Sequence, residues 1–241
     1  MNTTNLSMKQ SRYVDLAYNS SEYLLGLLND VLDYSKIQSN MLELELRPFS
    51  LKALSENITS QLKPTAEDKG LSFKFEFDSE CPEYLVGDNV RISQVLINLG
   101  TNAIKFTETG EVKIQGSVNE KETVAHTDES VNLRFEVQDT GIGISKHKQL
   151  DIFKQFAQAD ASTTRLYGGS GLGLTIVDSL VRLMGNSVKL NSQPGLGSNF
   201  WFELNLERAS AEDIHTCEEM LPVSSKKARA LQGELAGIKI L

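Results

Sequence analysis

Asp88 to Thr107 read DNVRISQVLINLGTNAIKFT, and the stretch carries two patterns at once. Ile92, Leu96, Leu99 and Ala103 recur at helical spacing and make an apolar stripe able to face a sheet. Arg91, Gln94, Asn98, Asn102 and Lys105 fall on the neighbouring stripe. Asp88 supplies an N-cap, and the helix it opens ends near Phe106. Asn is a poor helix former, so two of them one turn apart on one face need a reason. A solvated polar face is one reading. A ligand-facing row is the other: an Asn oxygen is a hard ligand suited to Mg²⁺, a Lys one turn on suits a phosphate, and a terminal Phe can stack on a ring.

Downstream, Leu133–Val137 predicts a strand that runs into Asp139-Thr140-Gly141-Ile142-Gly143. A carboxylate at a strand end, followed by two glycines, lets the backbone approach a flat ligand and lets Asp139 accept from an exocyclic amine. Taken alone such a sequence is also a common turn. Further on, Gly168-Gly169-Ser170-Gly171-Leu172-Gly173-Leu174 places four glycines just ahead of a helix running to about Met184. Free backbone N–H groups and the positive end of a helix meet there, which suits a phosphate, whereas a flexible loop is the plainer reading. The run is neither a Walker A motif nor a dinucleotide fingerprint.

The rest of the chain is read around these three. Leu24, Leu27, Leu28, Val31 and Leu32 make an apolar stripe on a long N-terminal helix, which docks either on its own domain or on a second chain. Leu42, Leu44 and Leu46 alternate with charged residues and predict a short strand. Ser50 caps a helix to about Asp68 that contains Pro64 and stops at Gly70; Phe73, Phe75 and Phe77 predict a half-buried strand. Thr109-Gly110 turns into a strand from Glu111, residues 119–130 form a polar hairpin loop, and Leu150 to Phe156 reads as a helix. Strands around Val188–Leu190 and Phe200–Leu206 flank the Gly195/Gly197 turn. Strands joined mostly by hairpins, with a few helices, make an α+β layered fold. Residues 208–234 lack periodicity and read as a linker, and residues 235–241 as a β-strand cut short.

Composition narrows the function classes. The 241 residues carry a formal net charge of −8 without a basic block, which argues against a nucleic-acid binder. No apolar run reaches the roughly 18–20 residues of a membrane span, and no signal peptide opens the chain. Two cysteines, Cys81 and Cys217, make neither a disulfide framework nor a zinc site.

In their order, these motifs resemble the ATP-binding catalytic region of hybrid sensor histidine kinases. Asn98–Thr107 resembles the N box, Asp139–Gly143 the first glycine box, Ile152–Phe156 the F box, and Gly169–Leu174 the second glycine box. Ser192–Phe200 matches the closing hairpin, and Leu27–Ile37 the end of the second helix of the dimerization and phosphoacceptor domain. The resemblance spans about residues 20–206 and implies a Bergerat (GHKL) α/β sandwich preceded by a long helix. It implies residues 1–46 as a partial dimerization helix, 47–207 as the catalytic domain, 208–234 as linker and 235–241 as the start of a truncated receiver domain.

The resemblance also implies ATP and Mg²⁺ as ligands. Asn102 would coordinate the metal and Asn98 would help position metal or phosphates; Lys105 would meet phosphate and Phe106 would lie near the nucleoside. Asp139 would read the adenine amine, with Gly141 and Gly143 along the base. Residues from about Ala157 to Tyr167 would form a lid anchored by Phe153 and Phe156, with Arg165 a candidate γ-phosphate contact or a solvated arginine. Gly169, Ser170, Gly171 and Gly173 would close over the phosphates, with Leu172 packing beneath. Hydrolases of the wider class carry a Glu one turn before the metal Asn; here that position is Asn98, which cannot take a proton at neutral pH. Phosphoryl transfer to an acceptor is therefore expected. A GHKL-type ATPase and a non-catalytic nucleotide-binding module stand as alternatives.

The acceptor is the missing part. A helix-borne run like Ser-His-Glu-Leu-Arg-Thr-Pro-Leu would carry it, and none exists here. The three histidines, His126, His147 and His215, read as surface residues of a loop, of the segment after the first glycine box and of the linker. The implied partners are a histidine-bearing phosphoacceptor domain, a receiver domain, and a second copy through residues 13–41. The implied setting is the cytoplasmic portion of a membrane-anchored bacterial sensor.

Overall fold

Val131, Leu133, Phe135 and Val137 alternate with polar residues along β5 (Ser130–Asp139), and Phe200, Phe202, Leu204 and Leu206 do the same along β7 (Gly197–Arg208). The two strands pair antiparallel in a register that sets Phe135 opposite Phe202, with ring centroids 5.2 Å apart. Matched apolar faces of this kind fix the register, because a one-residue slip would turn every one of these side chains to the other side. This computed structural model describes residues 6–39, 41–119, 129–149, 151–153 and 172–220.

The other described strands are β1 (Arg47–Ser50), β2 (Ser72–Phe77), β3 (Tyr84–Gly87), β4 (Glu111–Val118) and β6 (Lys189–Gln193). Along the sheet they run β1-β3-β7-β5-β4-β2, and β6 also pairs with β7. Because β7 is long, one of its edges serves two partners: β6 against Gly197–Trp201, then β3 against Glu207 and Arg208. Every pair is antiparallel except β2 with β4. Three helices cover one face: α2 (Leu51–Asp68), α3 (Asn89–Phe106) and α5 (Gly173–Leu183). Their stripes of Leu54, Ile58 and Leu62, of Ile92, Leu96 and Leu99, and of Ile176 and Leu180 join the sheet residues in one core. At about 1.5–3 kcal/mol for each fully buried large aliphatic or aromatic side chain, this layer is what holds the sheet. The fold is α+β, as expected.

The caps at Ser50 and Asp88 are in place: Ser50 Oγ accepts from Ala53 N at 3.2 Å, and Asp88 Oδ1 from Arg91 N at 3.0 Å. Pro64 lies within α2, and Gly70 takes φ +74° beyond its end. Ahead of the sheet stands α1 (Met8–Gln38), opened by a capping box between Ser7 and Gln10. Leu24, Leu25, Leu28, Val31 and Leu32 on it are 48–67% exposed, so the apolar stripe is not covered by its own domain; the Leu27 side chain is outside the described set. Among the described residues no helix is long and apolar enough to cross a membrane.

Three local expectations change. Residues 41–46 form no strand, because the Glu45 N–H donates to Asp88 Oδ2 at 3.0 Å instead of to a neighbouring strand, while Leu42 is buried and Leu46 exposed. Of the helix expected from Leu150 to Phe156, Asp151–Phe153 is a turn, and Leu150 and residues 154–156 lie outside the described residues; just ahead of it stands a short helix, α4 (Lys146–Gln149), in which the Ser145 carbonyl accepts from Lys148 and Gln149. Within 208–234, a helix stands where no periodicity pointed to one: α6 (Ala211–Met220), against β1. Ser210 caps it, with Oγ accepting from Asp213 N and Asp213 Oδ2 accepting from Ser210 N. His215 is therefore on a helix and exposed, and His147 is exposed on α4, while His126 lies outside the described residues.

Candidate functional site

Asp139 ends β5 and is 7% exposed, an unusual place for a carboxylate on a strand otherwise buried by apolar residues. Its Oδ1 accepts from Gly141 N at 2.8 Å and from Ser198 N at 3.2 Å. Burial raises its pKa above 3.8, and the bonds from Gly141 and Ser198 offset only part of that rise. The Ser198 hydroxyl is itself tied down: Ser192 Oγ lies 3.0 Å from it and 2.8 Å from the Gly197 carbonyl, and accepts from Ile144 N at 2.8 Å. Gln149 adds to this support, donating to the carbonyls of Ile144 and Ser192. Ser192 and Ser198 are legible in sequence only as parts of a hairpin; Ser198 stands opposite Asp139 and Ser192 opposite Ser198, a register that no local sequence signal states.

The two glycines after Asp139 are required by close approach. A Cβ at Gly141 would lie 2.4 Å from the Phe106 carbonyl oxygen, and one at Gly143, where φ is +67°, would lie 1.9 Å from that of Gln193. Ile142 N donates to the Phe106 carbonyl at 3.2 Å, so the loop after Asp139 is bonded to the end of α3. That helix end is held from the other side as well. Lys69 Nζ donates to the carbonyls of Ile104 and Lys105 at 2.7 and 2.8 Å, and Thr107 Oγ1 to that of Ala103 at 2.7 Å. Lys105 Nζ stands 4.9 Å from the Phe106 ring centroid, and desolvation lowers its pKa.

Farther back along α3, Asn98 meets the start of α5. A Cβ at Gly173 would sit 3.6 Å from Asn98 Oδ1, so the amide faces the N-terminus of the helix that Leu172 anchors in the core. Asn102, one turn on, is half-buried on the same face. Asn98, Asn102, Lys105, Phe106, Asp139, Gly141, Gly143, Leu172 and Gly173 thus stand on elements that touch one another. Arg165, Gly169, Ser170 and Gly171, the rest of the expected lid and Phe156 lie outside the described residues; Phe153 packs edge-on to Phe200 at 6.4 Å. Among the described residues no three His, Cys, Asp or Glu come together to hold a metal. With the Gln94 amide oxygen accepting from Arg91, the hard oxygen donors left on the row are the amides of Asn98 and Asn102, a sparse set that suits a cation sharing its shell with water and phosphate.

Residues 87–208 match the Histidine kinase-, DNA gyrase B-, and HSP90-like ATPase family. The chain belongs to it. Its layered α+β arrangement is the GHKL, or Bergerat, fold. Among similar proteins, the signal transduction histidine-protein kinase BarA of Escherichia coli is 40% identical over 204 residues, 85% of this chain and 22% of that protein. The sensor histidine kinase GacS of Pseudomonas protegens is 41% identical over 211 residues, 87% of this chain and 22% of that one. The crystal structure of full-length ShkA in complex with AMPPNP superposes with a TM-score of 0.71 at 33% identity, over 86% of this chain and 41% of that one. The chain therefore spans about a fifth of the length of the curated relatives it matches. Within this family its similarity is to the catalytic ATP-binding domain of hybrid sensor histidine kinases.

Proposed function

We propose that this chain binds ATP with Mg²⁺ and offers the γ-phosphoryl group to a histidine on another domain or chain, for relay to a receiver aspartate. The observation that carries the reading is the bonded junction in which Gly141 N donates to Asp139 and Ile142 N to the Phe106 carbonyl, joining a buried acceptor to the end of the Asn row. Asp139 accepts from the adenine amine; Gly141 and Gly143, pressed on the main chain of Phe106 and Gln193, shape the loop along which the base lies. Phe106 lines the nucleoside side. Lys105, whose ammonium is already partly stripped of water, gains from an adjacent phosphate. Asn102 is the metal ligand and Asn98 orients metal or phosphate beside Gly173. Bound Mg²⁺ would neutralise charge building on the phosphate oxygens.

Asn98 also bears on the reaction type. An amide cannot take a proton from water at neutral pH, so this position orients a nucleophile's target without activating water, and steady hydrolysis is a slow leak. The phosphate acceptor comes from elsewhere: His147 and His215 are exposed on α4 and α6, away from any motif of the acceptor type. AMPPNP, an ATP-like ligand, is bound in the structure of ShkA, which supports the ligand class. Helix α1 (Met8–Gln38) supports a bundle helix beside the catalytic domain within residues 1–46, and the sensor relatives support a cytoplasmic portion of an anchored receptor. The test supplies γ-labelled ATP and Mg²⁺ to this chain with a separate histidine-bearing bundle domain. Label should appear on the acceptor histidine; acceptor left unlabelled while nucleotide binds would replace kinase with a binding module.

A further inference from the structure

Arg91 and Gln94 stand on the same stripe of α3 as Asn98 and Asn102, yet they serve a different neighbour. Asp33, near the end of α1, accepts through Oδ2 from Gln94 Nε2 at 2.7 Å and from Arg91 Nη1 at 3.2 Å. Arg91 Nη1 also donates to Gln94 Oε1 at 2.8 Å, so the three side chains close a ring. The Asp33 and Arg91 side chains are only 17% and 22% exposed, and a charge-assisted contact shielded in this way is worth more than an open surface pair.

The rest of the contact between α1 and the catalytic domain is narrow. One turn past Asp33, Ile37 packs against the core, and α1 lies against α5. Ahead of Asp33, every described side chain of α1 is exposed. Beyond α1, Leu42 is buried and the Glu45 N–H is held by Asp88, the same carboxylate that caps α3. The connection is thus fixed to the catalytic domain from Leu42 onward, and the direction of α1 is set by the Asp33 ring and Ile37.

We propose that Asp33 is a positioning residue: acting through Arg91 and Gln94, it holds the ATP-binding domain in one orientation on α1, and opening the ring lets α1 swing ahead of Leu42. Its bearing on phosphoryl transfer rests on the function proposed above; the orientation itself does not depend on nucleotide.

The test uses the full chain with Cys81→Ser and Cys217→Ser, and spin labels on cysteines placed at exposed Ser20 and Asn191. Electron–electron dipolar spectroscopy should give one narrow distance. Asp33→Ala should lose it to a broad distribution, with ATP·Mg²⁺ affinity by calorimetry unchanged. The exchange of Asp33→Arg with Arg91→Asp should restore the narrow distance, a rescue that general destabilisation does not produce. If Asp33→Ala fails to give a cooperative melt, Asp33→Asn, which keeps an acceptor without the charge, should give an intermediate width. A distribution in Asp33→Ala or Asp33→Asn as narrow as in the parent, or an exchange that stays broad, overturns the proposal. Failure of the parent to bind ATP overturns the functional reading and leaves the distances to decide this one.

Discussion

Gly141→Ala places one methyl group where two elements of the site already touch. The new Cβ would stand 2.4 Å from the Phe106 carbonyl oxygen and 2.9 Å from Asp139 Oδ1. Comfortable carbon–oxygen contacts begin near about 3.3 Å, so a gap of roughly 0.9 Å has to open against main chain. Phe106 cannot rotate away, because Lys69 and Thr107 hold the helix end it belongs to. Overpacking of this kind costs about 1–3 kcal/mol. For a chain of this size that lowers the melting midpoint by roughly 2–12 °C. Moving the loop also breaks the Gly141 N–H to Asp139 bond; at about 1.5–3 kcal/mol for a bond to a charged group, ATP·Mg²⁺ affinity falls roughly 10- to 150-fold. Thermal unfolding followed by circular dichroism and isothermal titration with ATP·Mg²⁺ measure the two effects. Gly26→Ala is the control: nothing lies within 4 Å of its Cβ position, and on α1 it should be neutral or stabilising by up to about 1 kcal/mol with affinity unchanged. A Gly141→Ala protein with parental midpoint and parental affinity would refute the reasoning.

Two other outcomes follow from the same geometry. Asp139→Asn should abolish measurable ATP·Mg²⁺ binding and also change the acid limb of stability: with its pKa raised above 3.8 the folded carboxyl keeps a proton that the unfolded chain releases, so its contribution falls as pH rises from 3.8 to the folded value, and urea midpoints across that window should lose this downward component in the variant. Leu28→Glu with Leu32→Glu charges the exposed stripe of α1; if residues 13–41 pair two chains, sedimentation velocity should find the parent dimeric and the variant monomeric, whereas a monomeric parent removes that role.

Much of the fold could be read from residue pattern, and the places where reading stopped have physical reasons. Long amphipathic helices with side-chain caps, such as the one from Asp88, announce both ends, because capping and periodicity agree. The Leu42–Leu46 alternation looked like a strand, but a strand needs a partner's ladder, and the carboxylate of Asp88, 43 residues away in sequence, takes the Glu45 N–H instead. Helix α6 carried a capping signal in Ser210 to Asp213 without an apolar period behind it, so composition alone suggested a linker. In the site, Asp139 and its glycines were legible as a motif, whereas the Ser192–Ser198 support under the carboxylate depends on strand register, which no local pattern states. Arg91 and Gln94 were placed correctly on the polar row. Their partner on α1 is about sixty residues away in sequence and comes into range only through the tertiary fold.

Helix α3 has opposite charges at its two poles, the Asp88 carboxylate at its N-terminus and the Lys69 ammonium on its last carbonyls. Each opposes the partial charge of the helix end it touches, so both grips strengthen the rod they hold. At about 1.5 Å per residue its 18 residues span roughly 27 Å, and about 23 Å of that separates Arg91 from Phe106. Gripped at both poles and buried along the stripe between them, α3 is a fixed strut, so α1 can turn at one end without changing the reach of the site at the other.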